Sequence, residues 1–447
     1  MTVPSTVLAV DLGATSVRVA AVDLQATKPH VEVLHRWQHD PVSDPDGTLR
    51  WDWPRIVTEV EEGLKRGMTS GPVASIGVDG WGVDYGLIDE VGRLVALPYS
   101  YRDSRTEAWE ATAEAIGLER LYGVTGVQIM GINTIFQLAI HDRTELDRAK
   151  RILLLPDLLV RHLCGFEGAE RSNASTTGLM NIRTGDWADD LIEEISVDRS
   201  LFPAICPAGR AVGSWQGVPV HLVGSHDTAS AFLGMPGGAS PGTVFVSTGS
   251  WVIVGVERSS VDDSVAARVA NFSNEAGALG GSRFLKNVVG FWILEQCRAA
   301  WGEPPMERLI EEAALVGPGG PTFDAGDHRF INPADMEGEI REATGLSVDT
   351  PRGVIVRSVL DSIVDGIARV IDELTSITKT PMTQVAVVGG GARVPFLQEL
   401  LAARTGLTVV KGSPEATALG NAVVQGIALG RFDGIEDARG WLEATGG

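Results

Sequence analysis

Two stretches of this chain, about half its length apart, share one pattern, and that pattern limits the folds open to it. Val7-Leu-Ala-Val-Asp11-Leu-Gly13 is an apolar run that stops at a small polar turn and resumes as Val17-Arg-Val-Ala-Ala-Val-Asp23. Thr243-Val-Phe-Val-Ser247-Thr-Gly249 does the same, turning at Ser250 and continuing as Trp251-Val-Ile-Val-Gly-Val256. Each reads as strand, tight turn, strand. Their repetition predicts two related halves that arose by internal duplication. Neither is the strand, Gly loop and helix of a P-loop, and GxxxxGK[ST] occurs nowhere.

The rest of the chain alternates strand and helix signals. Val73 to Tyr85 reads as a strand running into a Gly/Trp turn, and Val220-His-Leu-Val223 as a short strand ending at Gly224-Ser-His-Asp227-Thr228. Helices are expected within 153–163, near 287–300 and over 351–376. A buried strand runs from Val385 into Gly389-Gly-Gly-Ala392, and a helix starts near Pro395. Alternation of this kind predicts α/β layers. At 447 residues the chain is too long for one core. The Gly/Pro-dense connector at 234–242 marks the boundary between domains 1–236 and 237–447, and it is the expected hinge.

Lys and Arg number 37 and Asp and Glu 58, so the net charge is 37 − 58 = −21. A surface this acidic repels phosphate backbones and anionic lipid, which excludes nucleic acid and membrane surfaces as partners. Cys164, Cys206 and Cys297 are too scattered for a disulfide framework, and no CxxC or HExxH spacing supplies a zinc site. Residues 1–5 carry no signal-peptide pattern, and no apolar run reaches the ~20 residues a membrane helix needs. A cytoplasmic protein with reduced thiols is expected.

Two motifs mislead. Gly238-Ala-Ser240-Pro-Gly242 matches GxSxG, but the residue after the serine must donate an N–H to an oxyanion, and Pro241 has none. Gly389-Gly-Gly-Ala lacks the third glycine of a dinucleotide fingerprint, where Val394 stands, and Lys411 occupies the place of the ribose-binding acid.

The two hairpin turns carry the chemistry. Small turns expose backbone N–H groups that favour anions, and Thr15, Ser16 and Ser250 add hydroxyls. Asp11 beside a phosphate would repel it unless a divalent cation lay between, since Mg²⁺ takes carboxylate, water and phosphate oxygens together. On the first hairpin alone, Asp11 is equally an ordinary turn residue. Asp227 reads either as a general base at a strand end or as a helix N-cap. His226 suits a ligand hydroxyl or packing. Trp81, at a strand-end turn, suits core packing or stacking on a ligand face, with Asp79 and Asp84 as candidate acceptors of ligand hydroxyls.

Asp11-Leu-Gly-Ala-Thr-Ser, Ser247-Thr-Gly-Ser and Val388-Gly-Gly-Gly resemble the two phosphate loops and the adenosine loop of the actin/hexokinase-type ATPases. Within that superfamily the chain resembles the FGGY carbohydrate kinases. The segments that carry the likeness are Gly77-Val-Asp-Gly-Trp-Gly-Val-Asp84, Tyr101-Arg-Asp-Ser-Arg-Thr106, Asn173-Ala-Ser-Thr-Thr-Gly178, Ser225-His-Asp-Thr-Ala-Ser230, Leu285-Lys-Asn-Val-Val-Gly290, Arg329-Phe-Ile-Asn-Pro333 and Glu415-Ala-Thr-Ala-Leu-Gly-Asn421. They run in order along almost the whole chain.

The resemblance implies two ribonuclease-H-like domains around a cleft. It implies transfer of the ATP γ-phosphoryl group to the C1 hydroxyl of L-rhamnulose in L-rhamnose catabolism, with Mg²⁺, and so ATP and a ketose as the binding partners. It assigns the base to Asp227, with Asp11 as the metal residue. It places sugar contacts at Trp81, Gly82, His226, Asp227, Thr228 and Asn287. ATP contacts fall at Ala14, Thr15, Ser16, Val17, Arg18, Ser250, Glu295 and Gly390. Val17 replaces the family's Gly, so the first turn must avoid positive φ there. Glu295 replaces its Gln and can only accept hydrogen bonds. A kinase for L-fuculose, xylulose or ribulose, and a non-catalytic sugar- or nucleotide-binding regulator, are the alternatives.

Overall fold

The computed structural model describes residues 4–235, 240–249, 251–330 and 333–444. Ser250 and part of the 234–242 connector lie outside the described residues, as does Asn332 of the Arg329–Pro333 segment. The chain divides into two units. The first comprises Met1–Gly238, Glu257–Phe284 and Glu415–Gly447, and the second Ala239–Val256 and Leu285–Pro414.

In the first unit, β1 (Thr6–Gly13) and β2 (Ser16–Asp23) pair antiparallel, with Gly13 opposite Ser16. Ala14 and Thr15 are thus a two-residue turn. β3 (Val31–Gln38) continues the meander, and β4 (Val73–Gly80) lies parallel to β1 on its other side. β5 (Ala211–Trp215) and β6 (Val218–His221) complete a six-stranded sheet of order β5-β6-β4-β1-β2-β3. β1 is buried along its interior because it is central, so its sequence reads as a continuous apolar run and not as an alternation.

Helix α1 (Trp53–Ser70) lies against this sheet. It can approach because Gly63 and Gly67 face it: a Cβ would come within 2.5 Å of Val19 and 2.6 Å of Leu8 respectively. α2 (Leu155–Cys164), α3 (Asp227–Leu233) and α4 (Ala416–Ala428) also belong to this unit. α3 and α4 touch backbone to backbone, since a Cβ on Gly420 would run into the Ser230 carbonyl.

The second unit repeats the motif. β7 (Thr243–Thr248) and β8 (Trp251–Arg258) form an antiparallel hairpin, with β10 (Gln384–Gly389) parallel to β7 and β11 (Thr408–Lys411) parallel to β10. β9 (Ser282–Val289) neighbours β8, giving β9-β8-β7-β10-β11. In both units the first strand of the hairpin takes a parallel neighbour from later in the chain, β4 in the first and β10 in the second, as two related halves would. Asn287 corrects one expectation. It lies on β9, and the helix expected from there begins only at Trp292, because Gly290 ends a strand rich in β-branched residues.

The 27-residue helix Arg352–Thr378 is the longest element, and no described helix is long and apolar enough to cross a membrane. The three cysteines are free thiols.

Candidate active site

The first hairpin ends in charge. Asp11 is 3% exposed, and its Oδ2 meets Arg18 Nη2 at 2.6 Å. Arg18 also reaches Glu415 at 3.2 Å, which pairs with Arg36 at 3.3 Å. The parallel register of β1 and β4 sets Asp79 beside Asp11. Asp79 is fully buried and accepts from Asn421 Nδ2 at 2.6 Å. Asp11 Oδ1 and Asp79 Oδ1 are both buried with no hydrogen-bond partner.

Burial pushes the Asp11 carboxyl up to about 6; Arg18 opposes this, and Asp227 and Glu415 reinforce it. Asp79 is held well above the usual carboxylate range, first by burial and then by Asp11. Arg18 is raised in turn by Asp11. The ion pair therefore does not neutralise the cluster, which still holds more carboxylate than cation.

The turn itself differs from the usual two-residue hairpin. No residue from Gly13 to Val17 adopts positive φ, so it is neither of the mirror-image turns that demand it. Val17 fits as a fully buried strand residue opposite Leu12. Gly13 is needed for space, because a Cβ would stand 2.8 Å from the Ser16 carbonyl. His39 braces the turn from outside: its Nε2 donates to the Gly13 carbonyl at 3.0 Å and its backbone N–H to the Thr15 carbonyl at 3.0 Å. With these carbonyls held, the turn between them has a fixed frame. The His39 ring stacks on Trp37 and touches Trp51 and Trp81.

Asp227 is the first residue of α3, and the residue capping the helix is His226, so the N-cap reading does not hold. Its side chain is 32% exposed. Thr228 Oγ1 donates to its Oδ1 at 3.1 Å, and His226 Nε2 lies 3.5 Å from the same oxygen. The preceding backbone is tied down by Glu170, whose Oε2 accepts from Ser225 N at 2.9 Å and Ser225 Oγ at 3.0 Å. Gly80 N donates to the Ser225 carbonyl at 2.9 Å, which joins this loop to the end of β4.

Trp81, Gly82 and Asp84 follow β4. Asp84 is fully buried and saturated: Trp51 Nε1 (2.7 Å), Trp81 Nε1 (3.0 Å) and Tyr101 N (3.2 Å) share its Oδ2, and Gln137 Nε2 (3.1 Å) meets its Oδ1. This corrects the expectation that Asp84 accepts sugar hydroxyls; it holds the wall together. Trp81 is 5% exposed and packs on Trp51 at 4.7 Å. Between them Val83 sits at φ 69°, costly for a β-branched residue, with its carbonyl held by Thr134 Oγ1 at 2.7 Å. A Cβ on Gly82 would come 2.9 Å from Thr176 Oγ1.

In the second unit, β10 leads into the Gly389-Gly-Gly turn. Gly391 N donates to Thr248 Oγ1 at 2.7 Å, which donates to the Val388 carbonyl at 2.7 Å. The glycines are required: Gly389 has φ 76°, and a Cβ on Gly391 would strike Thr248 Oγ1 at 2.6 Å. Gly390 has the most room of the three. Glu295, on the helix Trp292–Ala300, pairs with Arg298 at 2.7 Å. Its carboxylate is thereby partly neutralised.

Among the described residues, no three His, Cys, Asp or Glu side chains converge as a metal cage. Asp11 Oδ1 nevertheless fits a hard cation, which needs one protein oxygen when phosphate and water supply the rest. Sequence reasoning missed His39, Glu170, Asn421, Glu275 and Arg283. The contacts that bring His39, Glu170, Asn421 and Arg283 to the site join segments 26 to 342 residues apart, and only the small-residue run Glu415–Asn421 hinted at one of them.

Residues 6–234 match the model of the N-terminal domain of the FGGY family of carbohydrate kinases, and 244–429 that of its C-terminal domain. The rhamnulokinases of Enterococcus faecalis and Bacillus subtilis are 34% and 33% identical to the chain, over 98% and 96% of it and 92% of each relative. The fold matches ligand-bound xylulose kinase from Lactobacillus acidophilus (TM-score 0.80, 15% identity) and Plasmodium falciparum glycerol kinase with ADP (0.76, 17%). Each match covers 98% of this chain and 92% of the other. With both family domains matched in order around the paired hairpins and the aspartate cluster, this chain belongs to the FGGY family of carbohydrate kinases.

Proposed function

We propose that this kinase transfers the γ-phosphoryl group of ATP to the C1 hydroxyl of L-rhamnulose, giving L-rhamnulose 1-phosphate and ADP. The substrate rests on the likeness to rhamnulokinases over nearly the whole chain. The chemistry rests on one observation: Asp227 is a partly exposed carboxylate with one oxygen already held, in the same electrostatic cluster as Asp11 of the phosphate hairpin.

A sugar hydroxyl is a poor nucleophile. Asp227 orients it and takes its proton as the new O–P bond forms and the bond to the β-phosphate oxygen breaks, the electron pair leaving with ADP. A carboxylate suffices because phosphoryl transfer is loose and the proton leaves late. Thr228 and His226 hold Asp227 in place, and Trp81 and Gly82 line the sugar side. In the second unit, Asn287 is the sugar contact we propose, and Ser250, Glu295 and Gly390 the nucleotide contacts.

The Ala14–Thr15 turn, braced by His39, directs its N–H groups to the phosphates, with Ser16, Val17 and Arg18 following at the start of β2 as the further ATP contacts we propose. Asp11 Oδ1 would hold Mg²⁺, which would supply neutralisation of the phosphate charge. Cytoplasmic residence suits substrates of this kind.

An ADP-release assay across L-rhamnulose, L-fuculose, D-xylulose, L-ribulose and glycerol tests the substrate; a higher kcat/KM for any other sugar overturns it. Asp227→Asn should keep the fold and lower kcat by ~10²-fold or more. Near wild-type turnover in that variant removes the base.

A further inference from the structure

Behind Asp227 lies a buried charge pair that the transfer reaction does not itself require. Arg283, on β9, is 1% exposed, and Glu275, on the strand Ser273–Ala276, is 3% exposed. Arg283 Nη2 lies 3.1 Å from Glu275 Oε2, and its Nε donates to the Ala276 carbonyl at 3.2 Å. Burying two ions is expensive, and replacing such a pair by apolar side chains is often neutral or stabilising. Its presence beside a reactive group therefore asks for a reason other than stability.

The geometry at His226 supplies one. Both terminal nitrogens of Arg283 approach the ring Nδ1, at 3.3 Å and 3.2 Å. Glu275 Oε2 is also 3.3 Å from Nδ1, but unlike the two Arg283 nitrogens it has no hydrogen-bond geometry toward the ring. A guanidinium can donate and never accept. Its approach to Nδ1 requires the lone pair there, so the ring proton is on Nε2. That is the nitrogen 3.5 Å from Asp227 Oδ1.

We propose that Arg283 is a positioning residue for the phosphoryl transfer: it selects the His226 tautomer whose Nε2–H faces Asp227. Thr228 Oγ1 is hydrogen-bonded to Oδ1, and the Nε2–H lies 3.5 Å from that oxygen as an electrostatic contact, so Oδ2 is left to receive the alcohol proton. Glu275 balances the arginine's charge, and Ser273 Oγ, 3.1 Å from its other oxygen, holds it in place. Burial works against the Glu275 carboxylate, but Arg283, His226 and Ser273 more than offset it and keep it ionised. The opposite tautomer would turn a lone pair toward a carboxylate and push Asp227 away.

The inference rests on Asp227 being the base, and the test separates the two ideas. Nitrogen-15 NMR of the full chain labelled at histidine reads the protonated nitrogen directly, with the His226 signals assigned by their loss in His226→Gln. The expected result is a protonated Nε2 and a lone-pair Nδ1 in the wild type, kept in Arg283→Lys, whose ammonium can still donate. In Arg283→Met/Glu275→Gln, which removes both buried charges, the tautomer preference should be lost. There kcat should fall about 10-fold, part of the ~10²–10⁴ a positioned base supplies, with the KM for ATP unchanged.

A proton on Nδ1 in the wild type overturns the proposal. So does a double variant that keeps wild-type kcat. If the double variant fails to fold, the wild-type and Arg283→Lys spectra decide. If Asp227→Asn retains turnover, the base assignment fails on its own, whatever the tautomer.

Discussion

Asp84→Asn separates a wall residue from a sugar ligand. Three donors converge on Asp84 Oδ2 and one on Oδ1. An asparagine can keep its oxygen under the three, but its amide then faces Gln137 Nε2, donor against donor. Gln137 cannot turn over to help, because its Oε1 accepts from Arg105 at 2.8 Å and its Nε2 also donates to the Ile132 carbonyl at 2.9 Å.

The substitution loses one hydrogen bond to a charged acceptor, about 1.5–3 kcal/mol, and weakens three others by roughly 1 kcal/mol each as the acceptor becomes neutral. Relief from burying a carboxylate, which already holds the Asp84 carboxyl above its usual range, returns about 2–3 kcal/mol. The net loss is about 2–4 kcal/mol, a fall in Tm on the order of 5 °C for a unit of this size. Intrinsic fluorescence is the direct assay, since Trp51 and Trp81 are two of the donors. The companion measurement is KM for the ketose. Asp84→Asn with an unchanged Tm and a KM raised tenfold or more would make Asp84 a sugar ligand and refute the reasoning.

Two further outcomes follow from the same site. His39→Gln should retain the donor to the Gly13 carbonyl and stay near wild type, whereas His39→Phe should raise KM for ATP by about 5- to 30-fold, as loss of a hydrogen bond worth about 1–2 kcal/mol implies; equal behaviour of the two variants in steady-state kinetics would show that His39 does not brace the turn. Burial, reinforced by Glu170, holds Asp157 of α2 well above the carboxylate range. A raised folded-state pKa favours the fold at low pH, below the unfolded value of about 4, and that advantage is lost as pH rises through the folded value. Asp157→Asn, neutral throughout, should therefore gain Tm relative to wild type as pH goes from 5 to 8; a difference independent of pH would contradict this.

What could be read from the residues was local. A Val-rich run broken by a small turn is a hairpin wherever it occurs, so both hairpins and the Gly389 turn stood where expected, while the strand expected over 220–223 lies two residues earlier, at Val218–His221. Asn287 was misplaced because Leu285–Val289 carries apolar residues at spacings that suit helix or strand, and the sheet neighbour decided between them.

The amino-acid sequence by itself determined the alternating α/β order, the repeated hairpin with its glycine turn, and the presence of aspartates at strand ends, because strand alternation, turn chemistry and residue type are properties of a few neighbouring residues. Only the tertiary structure decided which aspartates are spoken for: Asp84 on both oxygens, by two tryptophans among others, and Asp79 by Asn421 from the far end of the chain and Asp11 by Arg18, each with one oxygen left over. It also brought Arg283 to the ring beside Asp227. A buried carboxylate's role depends on how many donors reach it. Those donors come from as near as Trp81 beside Asp84 and as far as Asn421, 342 residues from Asp79, and no local pattern encodes which of them arrive.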